Sequence, residues 1–306
     1  MKQITIFGAT GFIGTALTQH LMDKEYTVTA VTRNKNKAQK SLGERVKIFQ
    51  WDYKNISKLT ELLEQTDVII NLAGANIASK LWTKKHKQKI INSRINAGQK
   101  ITKAIEKTKH KPQLLIQGSA IGYYGYDNKE RCTEKAPKGD GFLAYVTDEW
   151  EKSTQKAESH GVRRAIIRTG MVLGKSGGIF PKLTKPIQYY VGANLGHGEQ
   201  GFSWIHLKDE IRAIEFIIKN KQLSGIFNLT APNPVKSKVF NKTVAKALNR
   251  PVWLKIPATI LRLIPGNMGK EVFLANQWVI PSRLQENSFT FSYPNLSEAV
   301  NQLIKS

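Results

Sequence analysis

Residues 3–23, QITIFGATGFIGTALTQHLMD, decide the fold. Gln3 to Phe7 read as a buried strand, and from Phe12 onward apolar residues recur at helical spacing. Between them stand Gly8, Gly11 and Gly14 as G-x-x-G-x-x-G, with Ala9, Thr10, Phe12 and Ile13 in the gaps. Glycines at this spacing let the backbone turn tightly and approach a pyrophosphate, which then sits against the N-terminus of the helix. The pattern alone is weak. A strand before it and a helix after it supply the context that a dinucleotide loop needs.

The same alternation continues outward. YTVTAVTR, RVKIFQW, DVIINLAG, PQLLIQGS and VRRAIIRTG read as strands, separated by helical patterns that include a basic helix between Lys80 and Lys111 and another over roughly 141–160. Repeated strand–helix units predict an α/β fold, a Rossmann-type doubly wound parallel sheet with right-handed crossovers. Residues 1–170 would form this dinucleotide-binding domain, with its sheet completed by strands from 200–230. Residues 171–306 would form a smaller α+β cap or substrate region, including a separate terminal segment over 250–306. No linker or repeat divides the two.

The end of the second strand selects the cofactor. A carboxylate there would hydrogen-bond the ribose 2′-hydroxyl of NAD, whereas an arginine accommodates the 2′-phosphate of NADP. The chain has Thr32, Arg33, Lys35 and Lys37 and no acid in VTRNKNK, so NADP is the expected cofactor and Arg33 its anchor.

Composition narrows the remaining classes. The chain has 306 residues, 41% hydrophobic and 23% charged, an ordinary globular balance. No apolar run approaches the ~20 residues of a membrane span, so no membrane partner is expected. The opening MKQITIFGATG enters the first strand without a leader pattern, and the only cysteine, Cys132, fits a reducing compartment; both point to the cytoplasm. His20, His86, His110, His160, His197 and His206 show no metal-ligand spacing, and no metal is expected. The formal charge of +24 is unusual. Between Lys80 and Lys111 eleven lysines and arginines face one acid, Glu106, while Ile91, Ile95, Ile101 and Ile105 are placed on one side of the helix. Without a nucleic-acid motif or interleaved aromatics, a basic funnel for phosphorylated ligands or a solvated face is preferred over nucleic-acid binding.

GATGFIGTAL, VTR, NLAGANI, SRI and GSAIGYYG together resemble the extended short-chain dehydrogenase/reductase superfamily, the NAD(P)-dependent epimerases and dehydratases. WTKKHKQKIINSRI, RTGMVLG, GFSWIHLKDEI, FNLTAPNPV and the tail from PVWLKIPATILRL to NLSEAV resemble an atypical sugar-nucleotide epimerase subgroup with its own C-terminal domain. The resemblance implies that Gly8 to Gly14, Thr32, Arg33, Asn71, Leu72, Ala73 and Gly74 line the cofactor. It also implies that Asp52 faces adenine, Arg94 a phosphate or ribose, and Val172 the nicotinamide end. Some members of the subgroup carry the label of cell-division inhibitor, which motivates a non-catalytic, NADP(H)-responsive alternative.

In that superfamily a tyrosine exchanges the substrate proton, a lysine four residues later lowers its pKa, and a serine polarises the substrate oxygen. A cation is needed because a phenol starts near pKa ~10. None of the nine tyrosines is followed four residues later by lysine. The helix that should carry the pair offers Tyr145 with Glu149, or Leu143 with Thr147 if Glu151 sets the register. Ser119 follows strand five, where ligands meet such sheets, and Tyr123 and Tyr124 follow it. These three are the catalytic candidates, Arg94 or Arg168 the candidate cation. Ser119 equally suits a strand cap, and the tyrosines equally suit packing. The expected activity is hydride transfer on a small polar or nucleotide-linked substrate, with a homodimer left open. His206 and Asp209 are weaker polar candidates, and Trp253, Phe273, Trp278, Phe289 and Phe291 are expected to pack the cap.

Overall fold

Seven parallel strands form the centre of the computed structural model, which describes residues 2–305. They are β1 (Gln3–Phe7), β2 (Thr27–Thr32), β3 (Lys47–Gln50), β4 (Val68–Asn71), β5 (Leu114–Ala120), β7 (Arg163–Thr169) and β13 (Gly225–Leu229), in the order β13-β7-β5-β4-β1-β2-β3. Strands such as VIIN of β4 are buried along their whole length, as a sheet covered on both faces requires. The short strand β6 (Asp127–Cys132) lies outside this sheet. Phe7 pairs with Asn71, Asn71 with Gln117, and Ser119 with Arg168. This register sets Gly8, Thr32 and Leu72 level at the carboxyl edge of the sheet, the edge where α/β folds bind ligands, with β5 and β7 running two residues further to Ala120 and Thr169.

Helices α1 (Phe12–Asp23) and α7 (Leu207–Lys219) cover one face; α3 (Ile56–Leu63) and α4 (Lys84–Lys107) cover the other. Helix α2 (Lys35–Leu42) connects β2 to β3, and α5 (Phe142–Lys152) packs beside β5 and α4. The C-terminal lobe contains α6 (Phe180–Gln188), α8 (Ser237–Leu248), α9 (Ala258–Arg262), α10 (Ser282–Glu286) and α11 (Leu296–Lys305). Small sheets tie it together. β8 (Met171–Gly174) pairs with β9 (Gly177–Gly178) and β12 (Trp204–His206); β10 (Ala193–Leu195) with β15 (Leu254–Ile256); β11 (Gly201–Phe202) with β14 (Val235–Lys236); and β16 (Asn276–Val279) with β6. Leu173, Phe180, Trp204, Phe240, Val244 and Val300 form its separate core.

Buried carboxylates stitch the tail to the rest. Asp209 accepts from the backbone N–H groups of Ser292 and Tyr293, both at 2.8 Å. Glu134 accepts from Asn228 N at 3.0 Å and Arg283 N at 3.2 Å. Glu271 caps the start of α5, accepting from Phe142 N at 3.0 Å and Leu143 N at 2.8 Å. Each satisfies backbone donors that would otherwise be buried without a partner.

Several expectations change. The helix expected over roughly 141–160 stops at Lys152 and resumes as a 3-10 turn, Gln155–His160. Side chains claim its last carbonyls: Ser153 Oγ donates to Trp150 O at 2.6 Å, and Thr102 Oγ1 to Ser153 O at 3.2 Å. The basic helix runs from Lys84 to Lys107 and buries Ile90, Ala97, Ile101 and Ile105. Ile91 and Ile95 are only half-buried, because at 100° per residue they fall beside that stripe. Of the tail aromatics, Phe289 and Phe291 pack on the main sheet's core instead of the cap, while Trp253 and Phe273 stay exposed. His206 and Asp209 turn inward: His206 Nδ1 accepts from Lys208 N at the start of α7, and Asp209 holds the tail.

Candidate functional site

The glycine loop is built for close backbone approach. Gly8 has φ +83°, and a Cβ there would lie 2.7 Å from Leu72 O; a Cβ on Gly14 would overlap Gly8 O. Gly11 is exposed, donates its N–H to Gly8 O at 3.0 Å and caps α1 without a side chain. No acid stands in the first turn of α1, so its free N–H groups can meet an anion. Thr10 forms the exposed lip, and Ala9 is buried. The Phe12 side chain points away from a ligand at the loop, since its ring fills the space left by Gly174, Gly177 and Gly178. Ile13 packs on the main core, so both residues offer backbone only.

The flanking loops complete a cradle. On one side Thr32 is half-buried and Arg33 exposed with no ion-pair partner among the described residues. Helix α2 starts two residues later, capped by Asn34 Oδ1 accepting from Lys37 N at 2.9 Å, again with no acid in its first turn. Asp52 is exposed beside it, and its carboxylate accepts from Lys54 N at 2.9 Å, which holds its pKa down. On the other side Asn71 is fully buried and structural: Nδ2 donates to Gln117 Oε1 at 2.9 Å and Oδ1 accepts from Ala73 N at 3.3 Å. It fixes the loop through Leu72 and Ala73 to the exposed Gly74.

Arg94 reaches this loop from α4. Its guanidinium lies against Gly74, where a Cβ would come within 2.9 Å of Cζ, and 4.9 Å from the Trp150 ring centroid. Nη1 donates to the carbonyls of Ala75 and Ile90 at 3.0 and 3.2 Å. No carboxylate pairs with it among the described residues, and loss of hydration pulls its pKa down to about 10. A dehydrated cation without an anion is a site that a phosphate would satisfy.

The catalytic candidates come together, but two are already committed. Ser119 is buried and its Oγ donates to Glu151 Oε1 at 2.6 Å. Arg168, also buried, holds both oxygens of Glu151, Nε to Oε1 at 2.8 Å and Nη2 to Oε2 at 2.9 Å. Its Nη1 donates to Tyr124 Oη at 3.0 Å, and Tyr124 Oη donates to Asn228 Oδ1 at 2.7 Å. Burial pushes the Tyr124 phenol up to about 12, despite the neighbouring guanidinium. Neither hydroxyl is free to serve a substrate. Tyr123 differs: it is half-buried, the Arg168 guanidinium lies 3.4 Å from its ring centroid, and no group hydrogen-bonds its hydroxyl among the described residues. Val172 is buried in the core beside β12, so only its backbone can face a ligand.

Sequence reasoning used Glu151 only as a register mark and missed Asn228, Glu210 and Glu271. Arg168 inside the apolar strand RRAIIRT was a legible signal that some acid must meet it. Leu143 and Thr147 occupy the helix positions considered for the missing pair. Leu143 packs against Gly122, and Thr147 Oγ1 donates to Leu143 O at 2.8 Å.

The profile of the NAD dependent epimerase/dehydratase family matches residues 4–230, and that of a domain of unknown function, DUF1731, matches residues 256–303. Epimerase family protein YfhF of Bacillus subtilis is 37% identical over 302 residues, covering 98% of this chain and 97% of that protein. Among solved structures, human epimerase family protein SDR39U1 (isoform2) with NADPH superposes with a TM-score of 0.87 at 27% identity, covering 99% of both chains. The nucleoside-diphosphate sugar epimerase from Corynebacterium glutamicum superposes with a TM-score of 0.80 at 30% identity, covering all of this chain and 59% of that one.

Proposed function

The chain belongs to the NAD dependent epimerase/dehydratase family, and from that premise we propose that it is an NADP(H)-dependent oxidoreductase or epimerase acting on a small polar or nucleotide-linked substrate. The observation that carries the cofactor choice is the end of β2: Arg33, then the acid-free start of α2 with Lys35 and Lys37, beside the glycine loop. Arg33 would grip the 2′-phosphate, the Gly11–Gly14 backbone the pyrophosphate, and Arg94 a further phosphate or ribose oxygen. Human SDR39U1, which carries NADPH in its solved structure, supports the same choice. When bound, the nicotinamide would supply hydride chemistry at a carbinol carbon.

The chain's own part is positioning and proton exchange. With Ser119 and Tyr124 engaged, Tyr123 is the phenol left to hold or pass a proton. The Arg168 guanidinium lies against its ring without the hydrogen bond to the hydroxyl that a lysine would make, and its charge is shared with Glu151. A second reading, a non-catalytic NADP(H)-responsive binding protein, is favoured by the Ser119–Glu151–Arg168–Tyr124 network, which spends two hydroxyls on architecture.

Titration with NADPH and NADH tests the cofactor assignment. Arg33→Ala should weaken NADPH by roughly 10- to 100-fold, the worth of a charge-assisted contact, and leave NADH nearly unchanged. Equal losses for both would refute the Arg33 assignment. Turnover in a substrate screen abolished by Tyr123→Phe with NADPH affinity intact supports the enzyme. Biological activity that survives Tyr123→Phe but not Arg33→Ala supports the second reading.

A further inference from the structure

Two stretches of the C-terminal lobe carry no acids. Ten lysines and arginines, three between Lys175 and Gly198 and seven between Ser237 and Lys270, stand in segments with no Asp or Glu. Of these, Lys238 pairs with Glu199; the others make no ion pair among the described residues. Large apolar side chains are exposed among them. Tyr189 is 71% exposed, Trp253 68% and Leu263 81%, with Tyr190, Val191 and Ile260 also exposed.

These residues are joined in one structural unit. Trp253 Nε1 donates to Tyr190 O at 3.0 Å, and the Arg250 guanidinium lies 4.6 Å from the Tyr190 ring centroid. Strand β15 pairs with β10 directly after the Tyr189–Val191 turn. Along β15 exposure alternates: Trp253 and Lys255 face solvent, Leu254 and Ile256 turn partly inward. Helix α9 follows within two residues and carries Ile260 and Arg262, with Leu263 just after it.

We infer that this face docks on a lipid surface rich in anionic headgroups. Tryptophan and tyrosine settle at headgroup level, where one end of the ring is apolar and the other wet. Lysines and arginines draw anionic lipid, and aliphatic tips reach the acyl boundary. A second copy of the chain fits poorly, because an isologous contact would press one predominantly cationic surface onto another. A nucleic acid would use the aromatic rings and the charges, but Val191, Ile260 and Leu263 have no counterpart on a sugar-phosphate backbone. The contact is peripheral: among the described residues no helix is long and apolar enough to cross a membrane.

The test uses the full chain and vesicles of equal parts phosphatidylglycerol and phosphatidylcholine, against phosphatidylcholine alone. Bromine-labelled acyl chains report depth through tryptophan emission. Trp51, Trp82, Trp150 and Trp204 are buried and Trp278 is half-buried, so quenching reads Trp253. Sedimentation with the anionic vesicles, and quenching lost in Trp253→Phe, are the expected results. The pair Trp253→Ser and Tyr189→Ser keeps the net charge and should lower partition about tenfold or more. Neutralising Lys255 or Arg262 should lower it roughly fivefold each, the worth of one cation near an anionic surface. Both sets are exposed, and unchanged circular dichroism and unfolding midpoint verify folding. No sedimentation, no quenching, or a Trp253/Tyr189 variant that binds as the parent does would overturn the inference. Loss of single-stranded oligonucleotide binding in that variant, with vesicle binding retained, would assign the face to nucleic acid instead.

Discussion

Glu210 offers a quantitative test of how dry the core beside the carboxyl edge of the sheet is. It lies in the first turn of α7, fully buried; one oxygen accepts from Thr169 Oγ1 at 2.7 Å and the other has no partner. Burial pushes its pKa from 4.5 up to about 8. A carboxyl raised in this way is held protonated by the folded chain, so the unfolded chain loses its proton first. The stability it contributes is whole below about 4.5 and is lost as pH climbs toward 8. At about 1.4 kcal/mol per pH unit the full span amounts to about 5 kcal/mol, and about 2 to 3 kcal/mol of it falls between roughly pH 6 and pH 9. Glu210→Gln keeps the acceptor for Thr169 and cannot ionise. Its stability relative to the parent should therefore rise by about 2 to 3 kcal/mol across that interval, whatever fixed offset the amide introduces. Urea unfolding of both proteins across the interval measures the gap. Parallel profiles would show that Glu210 ionises in the fold at ordinary cost, and the dry-pocket reasoning would fail.

Two further outcomes follow from the buried polar groups. Arg168→Met alone strands Glu151 and should cost about 3–5 kcal/mol in urea unfolding, whereas adding Glu151→Leu should recover most of the loss; a double variant as unstable as the single would refute a paired charge. Glu271→Ala removes the cap of α5 and should cost about 1–2 kcal/mol, with faster hydrogen exchange at Phe142 and Leu143 and with Glu271→Gln falling in between; protection at those amides unchanged in Glu271→Ala would deny the cap.

What the sequence disclosed and what it withheld divide by range. The glycine loop and the strands were legible because each rests on residues within a few positions, where sterics and backbone hydrogen bonding dictate the answer. The fate of Ser119 was not, because its partner Glu151 is 32 residues away and meets it only once α5 packs on β5. Tyr124 and Asn228 are separated by 104 residues, and Asp209 reaches Ser292 across 83. No local pattern encodes such pairings. The strongest hint was energetic: a charged residue within an apolar strand, as Arg168 is, requires a counter-charge somewhere.

The same energetics separates the two arginines once proposed to replace the missing lysine. Arg168 is buried, but Glu151 takes two of its donors and Tyr124 a third, so its charge is balanced and its geometry fixed. A group so fully satisfied has little to gain from a ligand, and moving it would break the pairing that holds α5 to β7. Arg94 is the reverse case. It has lost much of its hydration, rests on Trp150 and two carbonyls, and meets no acid among the described residues. Keeping a cation in that state costs free energy, part of which the carbonyls and the Trp150 ring offset and part of which an anion could offset. Its place against Gly74, across the cradle from Arg33, is where the phosphate contact proposed above would be made. The missing lysine was thus not replaced by either arginine in its full role. Arg168 retains the charge beneath a tyrosine ring, while Arg94 faces the dinucleotide loop.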